Sequence, residues 1–172
     1  FQVFENGWAF IHRAASFGDA EMMSLLCQRE DVTDLNIPDR INENSPLHIA
    51  AAKRNRGSLV ALIQAKANVN ALDRTGKTPL HHAIATGKKQ NQAIPVVRAL
   101  LDAGADINAL DAENRSPMDM VKSNTQICQE LLHFLRANHG LPGEVLLGLR
   151  TGQRAPAFGG PLPRSHSPRS DT

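Results

Sequence analysis

The sequence predicts an all-α fold, a solenoid of stacked helix pairs, and three observations lead there. The phrase Ser45-Pro46-Leu47-His48-Ile49-Ala50-Ala51 returns 33 residues later as Thr78-Pro79-Leu80-His81-His82-Ala83-Ile84, and another 38 on as Ser116-Pro117-Met118-Asp119-Met120-Val121. A degenerate copy precedes them at Ala9-Phe10-Ile11-His12-Arg13-Ala14-Ala15. The first three copies are each followed by an apolar stretch and a recurring close, Asp34-Leu35-Asn36, Ala67-Asn68-Val69-Asn70-Ala71 and Gly104-Ala105-Asp106-Ile107-Asn108-Ala109. Self-similarity at such a period marks stacked units. Aromatic residues make up only 4% of the chain, with no Tyr, so the core must be built from Leu, Ile, Val, Ala and Met, which suits close-packed helices.

Each phrase reads as a helix start. Ser45, Thr78 and Ser116 are good N-caps, and the following Pro takes the first helical position, where its missing N–H is not needed. Leu47 and Leu80 then face the stack, while Ala50, Ala51 and Ala83 are small enough for neighbouring helices to approach closely. The stretches Leu59-Val60-Ala61-Leu62-Ile63 and Val96-Val97-Arg98-Ala99-Leu100-Leu101 supply second helices, and Gly104 is placed to end one in a left-handed conformation. A last outer helix is expected over Gln126 to Leu135.

The run Asp73-x-x-Gly76-x-Thr78-Pro79-Leu80-His81, followed by Leu100-Leu101-x-Ala103-Gly104-Ala105-Asp106-Ile107-Asn108, resembles the ankyrin-repeat signature, and the resemblance covers roughly Asn6 to Ala137. It implies an L-shaped solenoid of antiparallel helix pairs joined by β-hairpin loops that project to one side. About four repeats are expected, near 4–39, 40–72, 73–110 and 111–140, followed by a disordered tail over 141–172 rich in Pro, Gly, Ser and Arg. The first repeat has Phe10 where Pro is usual and the fourth has Asp119 where His is usual, so both read as terminal, capping units. In the third, Lys88 to Pro95 holds five extra residues before the second helix.

A net charge of +2 is too weak to indicate a nucleic-acid binder, and no segment is long and apolar enough to span a membrane. Cys27 and Cys128 are the only cysteines and belong to no metal-spaced cluster, which fits a reducing, intracellular, cytoplasmic setting. The absence of an initiating Met and of a secretory leader suggests a fragment of a longer polypeptide. No phosphate-cradling loop, HExxH helix, GxSxG elbow or spaced carboxylate pair occurs, so no enzyme activity, cofactor, metal or small-molecule substrate is expected.

The resemblance assigns structural roles to His12, His48 and His81, whose imidazoles would bond the N-cap and the backbone of adjoining loops, and to the motif residues Ser45, Pro46, Gly76, Thr78, Pro79, Gly104 and Asn108. It also implies docking of a partner protein on a concave surface of loop tips and inner helices. The residues mapped there are Trp8, Arg13, Phe17, Ile41, Asn44, Lys53, Arg74, Lys77, His82, Arg115 and Met120. Trp8, the only Trp, is the favoured anchor, although it could instead close the end of the core. Arg74, Lys77 and Arg115 suggest a basic stripe suited to an acidic protein segment.

A monomeric scaffold or adaptor is therefore expected. The alternative is a targeting or regulatory domain of a larger enzyme or bacterial effector whose catalytic part is absent here. Asn108 also resembles the ankyrin asparagines modified by asparaginyl hydroxylase. In the tail, Ser167-Pro168 has the form of a proline-directed phosphorylation site, and Pro161-Leu162-Pro163-Arg164 that of a polyproline ligand.

Overall fold

Apolar side chains recur at helical spacing in pairs of short segments, and the chain folds accordingly. A computed structural model describes residues 9–29, 34–85, 93–121 and 126–138. Helices α1 (Phe10–Phe17) and α2 (Ala20–Cys27) form the first pair, α3 (Pro46–Lys53) and α4 (Arg56–Gln64) the second, and α5 (Pro79–Ala85) and α6 (Ala93–Asp102) the third. A 3₁₀ turn over Pro117–Met120 and helix α7 (Gln126–Ala137) complete the stack. Inner helices pack in series, α1 on α3, α3 on α5 and α5 on the 3₁₀ turn, while α2 packs on α4 and α4 on α6. This is an all-α solenoid of antiparallel helix pairs.

The caps explain where the helices stop. Asp19 Oδ1 accepts from the Glu21 and Met22 N–H groups, both at 3.0 Å, and starts α2. Ser45 and Thr78 precede Pro46 and Pro79, the first residues of α3 and α5. Helices α3, α4 and α6 each end on a residue in the left-handed region, Arg54, Lys66 and Gly104. Beyond each, the next N–H reaches five residues back, from Asn55 to Ala50 O, Ala67 to Leu62 O and Ala105 to Leu100 O, all within 3.0 Å. Lys66 stands where the third repeat has Gly104 and carries the steric cost of a Cβ at φ 69°. Lys66→Gly should therefore stabilise the fold by about 0.5–1 kcal/mol, net of the added freedom of the unfolded chain, and calorimetry should show a melting point a few degrees higher.

The core runs the length of the stack and is aliphatic. Met23, Leu47, Leu59, Leu62, Leu80, Ile84, Leu100 and Leu135 are fully buried, with Ala14, Ala15, Ala50, Ala51 and Ala83 between the inner helices. Asn55 ties two repeats together. Its Nδ2 donates to the carbonyls of Ala15 and Ser16, both at 2.8 Å, closing the end of α1 from the repeat that follows it.

Two elements depart from the sequence reading. Ser116-Pro117 begins a single 3₁₀ turn and not a full inner helix, and the backbone leaves it at Val121 in an extended conformation. Helix α6 starts at Ala93, with Pro95 accommodated in its first turn, so the insertion expected over 88–95 is partly helical; residues 86–92 lie outside the described part. The 141–172 tail also lies outside it.

Candidate docking surface

Three loops project between successive pairs, and each is organised by an aspartate at its first position. Asp39, Asp73 and Asp111 donate their N–H groups to the carbonyls of Asn44, Lys77 and Arg115, at 2.9–3.0 Å, which closes each loop. Their side chains then accept from the loop backbone: Asp39 from Ile41 and Asn42, Asp73 from Thr75 and Lys77, Asp111 from Glu113 and Arg115. Consecutive tips are also joined, Arg74 N–H to Asn42 O and Ala112 N–H to Thr75 O, each at 2.9 Å. No strand occurs among the described residues; the hairpins expected of this fold are tight turns linked by single bonds. Gly76 (φ 73°) is required at one of them because a Cβ there would lie 2.9 Å from the Ala112 backbone nitrogen.

The three buried histidines support these loops from below. Backbone N–H groups of Ala9, Ser45 and Thr78 donate to Nδ1 of His12, His48 and His81, each at 3.1 Å. Because an N–H can only donate, Nδ1 is the acceptor, and the proton sits on Nε2. Each Nε2 then donates to the carbonyl that closes the next loop, Asn44 O at 3.0 Å, Lys77 O at 3.0 Å and Arg115 O at 3.1 Å. Burial disfavours the imidazolium and drives the His48 pKa down to about 4; His12 and His81 are lowered for the same reason. At 119 the same place is filled by a carboxylate, which accepts from Ser116 N at 2.7 Å and Ser116 Oγ at 2.8 Å.

Above this frame sit the mapped surface residues, with mixed outcomes. Arg13, Phe17, Ile41, Lys53 and Arg74 are exposed, and the Arg13 guanidinium lies 5.2 Å from the centre of the Phe17 ring. Asn44 and Met120 are buried and present no side chain to a partner. The first loop carries one residue more between its Asp and its Pro than the other two, and Asn44 in it is buried. His82 is half-buried, its Nε2 2.8 Å from Asp73 Oδ2 and its ring edge-on to His48 at 5.3 Å. Trp8 and Ser167 lie outside the described residues, as does the Cys128 side chain.

The basic stripe is largely neutralised from within. Arg115 contacts Asp111 at 2.9 Å and Glu113 at 2.7 Å, and Arg74 contacts Glu43 at 3.3 Å across two loops. Burial alone would raise the pKa of Asp73, but bonds from His82, the Lys77 N–H and Thr75 outweigh it and hold the carboxyl at about 2. Cys27 is half-buried against the core, and burial raises its thiol pKa, which opposes thiolate chemistry.

Asn36, Asn70 and Asn108 occupy the closes of successive repeats. Asn36 Oδ1 accepts from Asn68 N and Asn70 Oδ1 from Asp106 N, at 2.7 and 2.8 Å, linking one close to the next; Asn108 donates its N–H to Asp106 at 2.8 Å. The loop aspartates and Asn55 had no assigned role in the sequence reading. An Asp recurring six or seven residues before each Ser/Thr-Pro proline was the available clue to the former.

Among the described residues, no group of three His, Cys, Asp or Glu side chains is arranged to hold a metal, and no helix is long and apolar enough to cross a membrane. Residues 11–111, and again 51–141, match the family described as Ankyrin repeats (3 copies). Ankyrin repeat and SOCS box protein 6 of Mus musculus is 39% identical over 77 residues, 44% of this chain and 18% of that protein. Potassium channel SKOR of Arabidopsis thaliana is 34% identical over 85 residues, 49% of this chain and 10% of the channel. Alpha-latrotoxin-Lt1a of Latrodectus tredecimguttatus is 34% identical over 86 residues, 49% of this chain and 6% of the toxin. The chain thus spans under a fifth of the length of each of these relatives.

Proposed function

The chain belongs to the ankyrin-repeat family, whose repeats generally serve protein–protein interaction, and from that premise we propose that it is a scaffold or adaptor module holding a partner protein on its loop and inner-helix side. The observation that carries this reading is the exposure of Phe17 at the end of α1 and Ile41 at a loop tip, two large apolar side chains on a backbone that is otherwise closely bonded. Interfaces take most of their energy from a few such anchors, and a frame already fixed by histidine and aspartate bonds loses little entropy when it binds. Arg13 stacked on Phe17 adds a cation beside one anchor. Lys53 and Lys77 provide the positive charge for an acidic segment of the partner, since Arg74 and Arg115 already meet carboxylates of their own chain.

Affinity capture with residues 1–172, compared with Phe17→Ala/Ile41→Ala, tests the reading. The double variant should bind a captured partner at least about 30-fold more weakly, with little change in melting point, because both side chains are more than half exposed. Equal capture by the two proteins would end the proposal, and Trp8→Ala in the same assay would report whether that residue contributes. A second reading, a targeting or regulatory module of a larger protein, is favoured by relatives as unlike as a channel and a toxin, each far longer than the matched segment.

A further inference from the structure

The three loop aspartates differ in how their second carboxylate oxygen is held. In the second loop Asp73 Oδ2 meets His82 Nε2 at 2.8 Å, and in the third Asp111 Oδ2 takes two bonds from the Arg115 guanidinium, from Nε at 3.0 Å and Nη2 at 2.9 Å. Asp39, in the first, uses only Oδ1, which accepts from the Ile41 and Asn42 N–H groups. No donor among the described residues reaches Asp39 Oδ2, although the residue is only 3% exposed.

The substitutions along the repeat account for the difference. Arg115 stands immediately before the cap residue Ser116, and His82 immediately after the buried ring of His81; in the repeat that opens with the first loop, those two places hold Asn44 and Ile49. Neither supplies a cation. Asn44 instead adds a second unmet acceptor, because its Oδ1 is buried without a hydrogen-bond partner, the only such side-chain atom among the described residues. Asn44 is 7% exposed and lies opposite Asp39 across the bond that closes the loop, Asp39 N–H to Asn44 O at 2.9 Å. Buried polar atoms of folded proteins are nearly always paired, so two unmet acceptors on one closing pair mark a place that takes its donor from outside the chain. Asp39 Oδ2, unbonded yet not among the fully buried atoms, is the way in.

We propose that the first loop receives an arginine side chain of the docked partner protein, its guanidinium lying against Asp39 Oδ2 and turning a second N–H toward Asn44 Oδ1. Burial and donor count select arginine. Both residues are more than nine-tenths buried, so the donor must arrive on a long, narrow side chain, and a guanidinium brings five N–H groups in a fixed fork. It would repeat between two proteins what Arg115 does for Asp111 within this one. That the donor belongs to a partner protein rests on the docking reading; the partner then turns a positive group to the loop that carries Ile41 and its acidic segment to Lys53 and Lys77.

The test uses the 1–172 chain without a partner. N-acetyl-arginine amide is titrated in and followed through the Asn44 side-chain amide and the Ile41 and Asn42 backbone N–H signals, with the uncharged, near-isosteric N-acetyl-citrulline amide as control. The arginine probe should give saturating shifts confined to this loop and bind at least about tenfold more tightly than the citrulline probe. Asp39→Asn keeps an oxygen for the two loop N–H groups and should lower the arginine probe to the citrulline level. Asn44→Arg should give Asp39 a guanidinium of its own, abolish the probe shifts and raise the urea midpoint. Equal affinity of the two probes, shifts spread over other carboxylates, or undiminished binding by Asp39→Asn overturns the proposal. Failure of the docking reading, seen as undiminished capture by Phe17→Ala/Ile41→Ala, would leave the probe result intact and remove only the partner as its source.

Discussion

Lowering the pH from 6.5 to about 4 should remove roughly 3 kcal/mol of folding stability through His48 alone. The unfolded chain takes up a proton on this histidine near 6.5, whereas the folded imidazole, fully buried and bonded at Nδ1 and Nε2, resists protonation down to about 4. Between those values the unfolded state binds the extra proton, so acid favours unfolding, and above 6.5 the effect vanishes. His12 and His81 are lowered by the same burial and act in the same direction. Asp73 acts in a lower window: with its pKa at about 2 against an ordinary 3.8, it stabilises the fold above 3.8 and loses that contribution as the pH falls toward 2. For a domain of ordinary stability, about 5–15 kcal/mol, the histidine effect is large. Urea midpoints at neutral pH and in mildly acid buffer measure it, and equal values would show that the imidazoles are not held neutral.

Leu80→Ala should cost about 3 kcal/mol, within the 2–5 kcal/mol usual for a buried leucine. Leu80 is fully buried in α5, which packs on α3 on one side and on the 3₁₀ turn on the other. In a linear stack each repeat touches only its neighbours, so a cavity there weakens two junctions at once, and the thermal transition should broaden as well as move down. Leu72→Ala is the matched control. Leu72 is exposed just before the second loop, and its truncation should stay within about 0.5 kcal/mol. A comparable loss from both variants would contradict the packing described here.

How much was legible in the sequence depended on whether a feature is local. Ser45-Pro46 and Thr78-Pro79 announce helix starts because an N-cap and a following proline act within one turn, and α3 and α5 begin there. Ser116-Pro117 carries the same words but leads into only a 3₁₀ turn, which ends at Val121 in an extended conformation. The surface was read less well. Arg74 and Arg115 look like free cations until the loops bring Glu43, Asp111 and Glu113 against them, and two of those contacts depend on how a loop folds or meets its neighbour. Asn44 and Met120 were mapped by position in the repeat, which takes no account of the extra residue in the first loop or of the shortened fourth helix.

The histidine series also gives the stack an arrow. Each ring takes a bond from its own turn and hands one forward, and at 119 the ring is replaced by a side chain that accepts from Ser116 and carries no ring N–H to hand on. Growth by one unit at that end would need a new donor at 119, whereas growth at the other end leaves every existing link as it is.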